Sequence, residues 1–174
     1  MRIAIMGYVG SGKTYLSQYL SKKYDIPVLH LDEIYFDKEW RPVEKSTVLT
    51  RTAEFMENDG WIIDGFYRDV LMEERLEKAD RIVLLLLPRI TCLLRALRRT
   101  KSRVQAGYKN DLNWWFIEFA LFGCRTKVRQ EIYSQIAHDH HAKTVVLRSR
   151  RQVRSFLSSI DESCYNSVIP GYNV

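Results

Sequence analysis

A glycine-rich segment close to the start of the chain constrains the fold more than any other feature of the sequence. Its glycines, lysine and threonine follow the spacing Gly-x4-Gly-Lys-Thr, over the residues Gly7-Tyr8-Val9-Gly10-Ser11-Gly12-Lys13-Thr14. A short apolar run, from Arg2 to Met6, precedes this segment, and leucine and tyrosine at helical spacing follow it. Because glycines let the backbone curl and a following helix directs its N–H groups at an anion, the pattern predicts a phosphate-binding loop between a strand and a helix.

The predicted loop supplies the groups that a nucleoside triphosphate and Mg²⁺ need. We expect Lys13 to reach the β- and γ-phosphates as a point charge, and the hydroxyl of Thr14 to ligate Mg²⁺. The predicted residues that bind ATP, mainly through backbone N–H groups, are Gly7, Val9, Gly10, Ser11, Gly12, Lys13, Thr14 and Tyr15. The alternative is a glycine-rich turn that contains Lys-Thr by chance. The strand before the segment and the helix after it favour phosphate binding.

Strand-like and helix-like segments alternate along the chain. Five short apolar runs predict strands: Arg2 to Met6, Val28 to Leu31, Trp61 to Ile63, Arg81 to Leu87 and Thr144 to Leu147. The last two runs are apolar without alternation, which is typical of parallel strands that helices cover on both faces. The sequence therefore predicts a three-layer α/β fold of the P-loop NTPase type, with a five-stranded parallel sheet flanked by helices. No internal repeat or long linker divides it, so residues 1–174 are predicted to form one domain.

Composition and charge exclude several classes of protein. The chain has 174 residues, 46% of them hydrophobic and 28% charged, which is the balance of a globular protein. Cysteines at 92, 124 and 164 lack the spacing of a disulfide framework or a zinc site. The first strand pattern leaves no room for a signal peptide, and no apolar run approaches the ~20 residues of a membrane span. We therefore expect a cytoplasmic protein without membrane contact, and its net charge of +6 favours anionic ligands.

Two carboxylates follow predicted strands and are candidates for the chemistry. Asp32 comes after the second strand, and ligands of doubly wound sheets bind beyond the carboxyl ends of strands. It could accept the proton of a hydroxyl acceptor, hold a water molecule of Mg²⁺, or cap the next helix. Asp64 follows the third strand and is a candidate ligand of Mg²⁺, directly or through water, unless Asp64-Gly65 only forms a turn. For His30, packing is a better interpretation than catalysis.

The third predicted strand carries the pattern that relates the chain to known proteins. The sequence Asp64-Gly65-Phe66-Tyr67-Arg68 resembles the Asp-Gly-Phe-Pro-Arg pattern of the adenylate kinase-like nucleotide and nucleoside kinases, with tyrosine in place of proline. Within that superfamily, the chain more closely resembles the bacterial family named DNA topology modulation proteins. The segments that carry this resemblance are HLDEIYF at 30–36, WIIDGFYR at 61–68 and VVLRSRRQVRSFL at 145–157. They are spread over most of the chain.

The resemblance implies a kinase with a core, an acceptor-binding segment and a small lid that bears arginines. It places the acceptor-binding segment at about 33–59 and the lid at about 100–125. It also implies that Arg68 binds the phosphate of the acceptor. The name of the family describes a cellular effect rather than a reaction, so the resemblance does not name the acceptor.

Arginines at helical spacing are the remaining candidates. Two sets share the spacing of one helix face: Arg95, Arg98 and Arg99 after Pro88, and Arg125 with Arg129 further on. Like charges so placed repel unless solvent or an anion such as a polyphosphate lies between them. The resemblance implies that Arg95 and Arg99 contact the adenine and phosphates of the donor. It implies that Arg125 and Arg129 close on the transferring group. A solvated surface is the preferred interpretation for Arg98, Arg150, Arg151 and Arg154.

The leading hypothesis is a P-loop phosphotransferase that moves the γ-phosphoryl group of MgATP to a small acceptor, with a nucleotide or nucleoside as the expected class. Its predicted catalytic residues are Lys13, Asp32, Arg68, Arg99, Arg125 and Arg129. The alternative is a nucleotide-responsive regulatory protein that binds DNA, which the positive charge suggests and which no sequence-reading motif supports. The aromatic run from Trp114 to Phe122 is interpreted as core rather than as a base-stacking surface. We expect a monomer or a homodimer.

Overall fold

The computed structural model describes residues 1–37, 41–105 and 114–167, without the side chains of 99–105, 115–116 and 161–167. Five parallel strands form one sheet: β1 (Arg2–Gly7), β2 (Val28–His30), β3 (Trp61–Asp64), β4 (Arg81–Leu85) and β5 (Thr144–Leu147). Their order across the sheet is β2-β3-β1-β4-β5. The predicted five-stranded parallel sheet is therefore confirmed, and each strand limit lies within two residues of its predicted position.

Helices flank this sheet throughout the described ranges. They are α1 (Lys13–Tyr24), α2 (Leu31–Tyr35), α3 (Lys45–Met56), α4 (Met72–Lys78), α5 (Arg89–Gln105), α6 (Trp114–Leu121), α7 (Lys127–Asp139) and α8 (Arg150–Ser167). Short 3-10 turns occupy Gly123–Arg125 and His141–Lys143. Among the helices that the structure describes, we find none that combines the length and the apolar character needed to cross a membrane.

Alternating side chains of β1 divide the core into two layers. On one face of the sheet, Ile3 and Ile5 pack with residues of α1 and α8, namely Leu16, Leu20 and Ile160. On the other face, Ala4 and Met6 pack with residues of α3, α4 and α7, namely Val48, Met56, Leu76, Tyr133 and Ile136. Successive strand residues point to opposite faces, so a strand that is apolar throughout needs helices on both sides. Each large aliphatic side chain buried in this way contributes about 1.5–3 kcal/mol. The predicted three-layer architecture is confirmed.

The strand order creates a crevice at the carboxyl end of β1. The neighbours of β1 are β3 on one side and β4 on the other, and β2 and β5 form the two edges. The connections from the carboxyl ends therefore leave in opposite directions around β1, and ligands bind where such connections diverge. Because Gly7 ends β1, the glycine-rich loop opens at this crevice.

The carboxyl end of β2 differs from the prediction. The strand ends at His30 and α2 begins at Leu31, so Asp32 lies in the first turn of a helix rather than at the end of a strand. Leu31 is fully buried and packs against Gly65. Asp32 and Glu33 favour the start of the helix, because carboxylates interact well with the positive end of the helix dipole. The residue that precedes α2 is His30, so Asp32 is not its cap.

The segment around α6 also departs from the prediction. Trp114 and Phe122 are 77% and 57% exposed, so the two ends of this aromatic run are not core. The guanidinium of Arg89 lies 5.3 Å from the centre of the Phe122 ring and covers part of that exposed surface. Phe119, in the middle of the run, packs against the core. Of the predicted lid at about 100–125, residues 106–113 lie outside the described ranges, and the lid stays a prediction.

Candidate functional site

The loop between β1 and α1 has a conformation that its glycines allow. Gly10 has φ of 71°, and a Cβ at this position would lie 2.2 Å from the carbonyl oxygen of Cys92 in α5. Gly12 has φ of 98° and directly precedes α1. The loop closes through the N–H of Ser11, which donates to the carbonyl oxygen of Tyr8 at 3.1 Å. The backbone therefore forms the predicted bend and packs closely against the start of α5.

The N-terminus of α1 is open to an anion. Gly12 has no side chain that could cap the N–H groups of the first helical turn. Lys13 Nζ lies over the loop, 3.2 Å from the carbonyl oxygen of Tyr8 and 3.5 Å from that of Gly7. Ser11 Oγ is buried and has no hydrogen-bond partner within the described residues. These groups fit a bound phosphate, because phosphates bind to such loops and helix ends through N–H, hydroxyl and lysine donors.

Thr14 and Tyr15 follow at the border of the same cleft. Thr14 is exposed and Tyr15 is 67% exposed, so both side chains are accessible to a ligand. Within the described residues, no group of three or more His, Cys, Asp or Glu side chains could hold a metal ion. Mg²⁺ in phosphate sites commonly keeps several water ligands and needs only one or two protein groups, for which Thr14 and Asp64 stay the predicted candidates.

A cleft of about 750 Å³ lies over the loop. Its lining includes residues 9–16, Leu85 at the end of β4, Arg95 and Ala96 of α5, and Asp32 of α2. Ligand sites of this kind combine apolar walls with a few polar groups, and their volumes are about 300–1,000 Å³. The cleft therefore has the size and lining of a site for a nucleotide.

One wall of the cleft comes from α8, which was not predicted from the sequence. Four residues of this helix line the cleft: Arg150, Val153, Arg154 and Leu157. Arg150 and Arg154 were expected on a solvated surface; both are exposed, and they also line the cleft. Arg151, between them in sequence, is also exposed but is not among the residues that line the cleft. The available signal was the spacing i, i+3, i+4 and i+7, which places the four lining residues on one helical face.

Arg95 extends from α5 to the glycine-rich loop. Its Nη1 donates to the carbonyl oxygen of Ser11 at 2.8 Å and lies next to Gly12. The guanidinium therefore supports the loop and borders the cleft. Its predicted contact with the adenine and phosphates of the donor stays a prediction. Arg99 lies one turn later on α5, but its side chain falls outside the described ones. Its contact with a phosphate group stays a prediction.

Asp64 is buried at the end of β3, with 2% of its surface exposed. Ser17 Oγ donates to its Oδ2 at 2.8 Å, and His30 Nδ1 lies 2.8 Å from the same oxygen. Ser17 Oγ is also 3.0 Å from the carbonyl oxygen of Thr14. The carboxylate thus joins β3 to β2 and to the first turn of α1. Its role as a ligand of Mg²⁺, directly or through water, stays a prediction.

The contact with Asp64 couples the stability of the protein to the protonation of His30. The hydrogen bond to Asp64 raises the pKa of His30, against the opposing effect of burial. The negative charges of Asp64, Glu33 and Asp32 raise it further. Because the pKa is higher in the folded state, the stabilisation is complete below the unfolded value of 6.5. It is lost as the pH rises through the folded-state pKa.

We therefore expect His30→Gln to flatten the pH dependence of stability. Between about pH 5.5 and about pH 8.5, the free energy of unfolding should fall more in the wild-type protein than in the variant. The reason is that His30 binds its proton more tightly in the folded state than in the unfolded state, and the variant lacks this group. Urea titrations at both pH values, without added metal ion, measure this difference. Equal losses in the two proteins would show that the contact between His30 and Asp64 does not form.

A tyrosine holds the carboxylate of Asp32 at the border of the cleft. The Tyr67 hydroxyl donates to Asp32 Oδ1 at 2.6 Å. The Tyr67 ring stacks on Tyr35 of α2, with centroids 4.4 Å apart and an interplanar angle of 25°. Burial raises the pKa of Tyr67, and the hydrogen bond to Asp32 raises it further, so the hydroxyl stays a donor at neutral pH. This hydrogen bond favours one orientation of the exposed Asp32 side chain.

A buried arginine supports the loop that carries Tyr67. Arg75 of α4 is fully buried and donates to the carbonyl oxygens of Val70, Gly65 and Tyr67 at 2.9, 3.3 and 2.7 Å. Burial lowers the pKa of Arg75 to about 10, which leaves it charged at neutral pH. The sequence analysis did not single it out, because no local pattern marks its partners. Arg68, predicted to bind the acceptor, is exposed on the same loop.

The two predicted lid-side arginines lie on aromatic rings. The Arg125 guanidinium is 3.8 Å from the centre of the Tyr8 ring, and that of Arg129 is 4.6 Å from the centre of Phe66. The prediction that both share the face of one helix is wrong. Arg125 ends a 3-10 turn, and Thr126 starts α7 by accepting a hydrogen bond from the N–H of Arg129 at 3.3 Å. Their action on a phosphoryl group stays a prediction.

Solved structures with the same architecture include several kinases. A shikimate kinase from Acinetobacter baumannii in complex with shikimate has a TM-score of 0.59 and 20% identity, over 97% of this chain and 95% of that chain. A gluconokinase from Sinorhizobium meliloti 1021 has a TM-score of 0.53 and 14% identity, over 97% of both chains. The chain has the fold of the P-loop kinases. A deoxyadenosine kinase from M. mycoides with bound dCTP also has this fold, with a TM-score of 0.52 and 19% identity over 93% of this chain and 100% of that chain.

Comparisons by sequence add no family to this result. No protein-family model matches the chain, and no curated protein matches it. At the identities of the solved kinases, the likeness shows the fold alone. The resemblance to the DNA topology modulation proteins therefore stays a prediction from the sequence.

Proposed function

We propose that the protein is a kinase that transfers the γ-phosphoryl group of ATP to a small molecule. The observation that carries the proposal is that the glycine-rich loop, Arg95 and the carboxylate of Asp32 all line one cleft. A phosphate-binding loop by itself would also suit a protein that hydrolyses or senses nucleotides. A carboxylate on the same cleft adds the group that accepts a proton from a second substrate.

The donor side of the cleft has a polar and an apolar part. The backbone of the loop and Lys13 would bind the phosphates, and Arg95 would contact the donor next to the loop. The neighbouring apolar surface of Leu85, Ala96 and Val153 suits a nucleobase. Thr14, with Asp64 behind it, would hold Mg²⁺, which neutralises charge on the phosphates when bound.

The acceptor would enter on the side of Asp32. Its oxygen forms a bond to the γ-phosphorus, the bond from that phosphorus to the bridging oxygen breaks, and ADP leaves. If the acceptor is a hydroxyl, its proton passes to Asp32; a phosphate acceptor has no such proton to remove. We further propose that Arg68 contacts the acceptor, and that Arg99, Arg125 and Arg129 stabilise charge on the phosphoryl group.

A screen of acceptors tests the proposed function. The similar structures are named for different acceptors, so the fold alone does not select one. The purified protein is incubated with ATP, Mg²⁺ and a panel of nucleosides, nucleoside monophosphates and small hydroxylated metabolites, and products are identified by mass spectrometry. We expect one class to gain a phosphoryl group, with an equal amount of ADP. Release of ADP without a phosphorylated product would contradict the proposal, since water then takes the place of an acceptor.

The α8 wall provides a separate prediction about the donor. Arg154→Ala should weaken the binding of ATP about tenfold, since a charge-assisted hydrogen bond contributes about 1.5–3 kcal/mol. Arg150→Ala should also weaken the binding of ATP. Arg151→Ala is the matched control, because this arginine lies on the same helix and is also exposed but does not line the cleft. Isothermal titration calorimetry measures all three variants, and equal affinities for Arg154→Ala and Arg151→Ala would exclude α8 from the donor site.

A further inference from the structure

Building on the kinase function above, we propose that Tyr67 is a positioning residue that orients Asp32 toward a hydroxyl group of the acceptor. The site would therefore phosphorylate an alcohol, such as the sugar of a nucleoside, in preference to a phosphate group. The proposal rests on three features of the described residues: the hydrogen bond between the two side chains, the contacts that hold Tyr67 itself, and the charges around Asp32.

The hydrogen bond from Tyr67 occupies one oxygen of the Asp32 carboxylate and leaves the other oxygen for the acceptor. The Tyr67 hydroxyl donates to Asp32 Oδ1 at 2.6 Å, and Asp32 is exposed where it lines the cleft. Its second oxygen can therefore accept a hydrogen bond from a ligand in the cleft. An ionised carboxylate only accepts hydrogen bonds, so its natural partner is a donor. A hydroxyl is such a donor, whereas a phosphate dianion has no hydrogen to donate.

Tyr67 can orient another side chain because its own position is held from two directions. Its ring stacks on Tyr35 at a centroid distance of 4.4 Å. Its carbonyl oxygen accepts a hydrogen bond of 2.7 Å from the buried guanidinium of Arg75, which also binds the carbonyl oxygen of Gly65. The loop between β3 and α4 is thus held by Arg75 of α4 and by Tyr35 of α2. Held groups of this kind keep reacting atoms in a productive geometry.

The two carboxylates at the start of α2 disfavour a second anion directly beside Asp32. Glu33 follows Asp32 in the first turn of α2. The carboxylate of Asp69 lies 3.4 Å from the Tyr35 hydroxyl, but Lys45 is paired with it at 3.6 Å and offsets its charge. A phosphate acceptor whose oxygens lie against Asp32 and Glu33 would meet like charges, whereas a neutral hydroxyl would not. The cations of the cleft, Lys13, Arg95, Arg150 and Arg154, lie on the glycine-rich loop, α5 and α8, where we propose that the phosphates of the donor bind. An acid group elsewhere on the acceptor could still bind the exposed Arg68.

The test compares two Tyr→Phe variants on the two stacked rings. Tyr67→Phe keeps the stack and removes only the hydroxyl that binds Asp32. For a nucleoside acceptor, we expect kcat to fall by about tenfold or more, while the KM for ATP changes by less than about twofold. Tyr35→Phe is the matched control, since it also keeps the stack and loses a hydroxyl that contacts Asp69. The loss in Tyr67→Phe should exceed that in the control by about tenfold.

A double-mutant cycle separates positioning from a structural role. In an Asp32→Asn background, Tyr67→Phe should cause no further loss in single-turnover rate, because it acts only through that carboxylate. A purely structural role would lower the rate by the same factor in both backgrounds. Equal melting temperatures for the two Tyr→Phe variants would show that the loss of rate is not a loss of folded protein.

Two outcomes would overturn the inference and leave the proposed function intact. One is a Tyr67→Phe variant with the kcat of the wild type. The other is a wild-type enzyme that prefers nucleoside monophosphates and phosphorylates them on their phosphate group. If no member of the panel is phosphorylated at all, the proposed function fails and the inference fails with it.

Discussion

Lys13→Ala is expected to lower kcat for phosphoryl transfer by about 10²–10³-fold without unfolding the protein. Lys13 Nζ is held over the loop by the carbonyl oxygens of Tyr8 and Gly7, at 3.2 and 3.5 Å. It is the cation that the loop itself contributes where negative charge develops on the transferred group. Backbone N–H groups remain in the variant, so some binding of ATP should persist. Steady-state kinetics with the acceptor identified by the screen measure the effect.

The matched control for this prediction is Lys22→Ala. Lys22 lies on the same helix, near its C-terminal end, and is exposed. Its removal changes the net charge equally and should leave kcat within about twofold of the wild type, since charges beyond about 8–10 Å are screened at physiological salt. If Lys13→Ala bound and turned over ATP as Lys22→Ala does, the assignment of residues 7–14 to the phosphates would be wrong.

Arg75→Met is expected to lower the free energy of unfolding by about 2–4 kcal/mol. Methionine fills much of the same volume and favours helix, but it leaves the three carbonyl oxygens of the loop without their donors. Hydrogen bonds to a charged group contribute about 1.5–3 kcal/mol each, and the relief of a buried charge offsets part of their loss. Urea titrations, followed by circular dichroism, measure the difference.

Arg51→Met controls for the loss of an arginine as such. Arg51 lies on α3 and is exposed, so its replacement should change stability by no more than about 0.5 kcal/mol. Equal stability of the two variants would mean that Arg75 does not hold the loop between β3 and α4. In that case, the support that we assign to Tyr67 would also be absent.

Local sequence patterns were sufficient to predict the fold because they reflect burial directly. The run from Ile82 to Leu85 is apolar at every position, and each of its residues is at most 1% exposed, as a central parallel strand requires. The boundary at Leu31 was harder to predict. An apolar residue that extends a strand pattern can equally begin a helix, and Leu31 packs against Gly65, 34 positions away, a contact that a local pattern does not reveal.

The candidate site was predictable only where its parts are contiguous in sequence. The glycine-rich loop is one segment, and its spacing determines its backbone. The contacts of Asp64 with Ser17 and of Asp32 with Tyr67 join residues 47 and 35 positions apart, and single-sequence patterns carry no information about such pairs. The cleft-facing position of Arg154 depended likewise on how α8 packs against the sheet.

The alternative of a DNA-binding regulatory protein stays a prediction, since none of the described contacts tests it. The cleft over the loop supports the kinase proposal without excluding a second role for the basic surface. Binding to duplex DNA would be recognised by a steep loss of affinity as salt is raised.

The burial of Asp64 has a consequence for protein engineering. One oxygen of this carboxylate receives both Ser17, from the helix after the glycine-rich loop, and His30, from the strand that leads to Asp32. A chimera that grafts the residues around Asp32 from another kinase, in order to change the acceptor, would leave this oxygen short of a donor unless the graft retains a histidine at position 30. The segment around Asp32 therefore cannot be exchanged independently of β3 and α1.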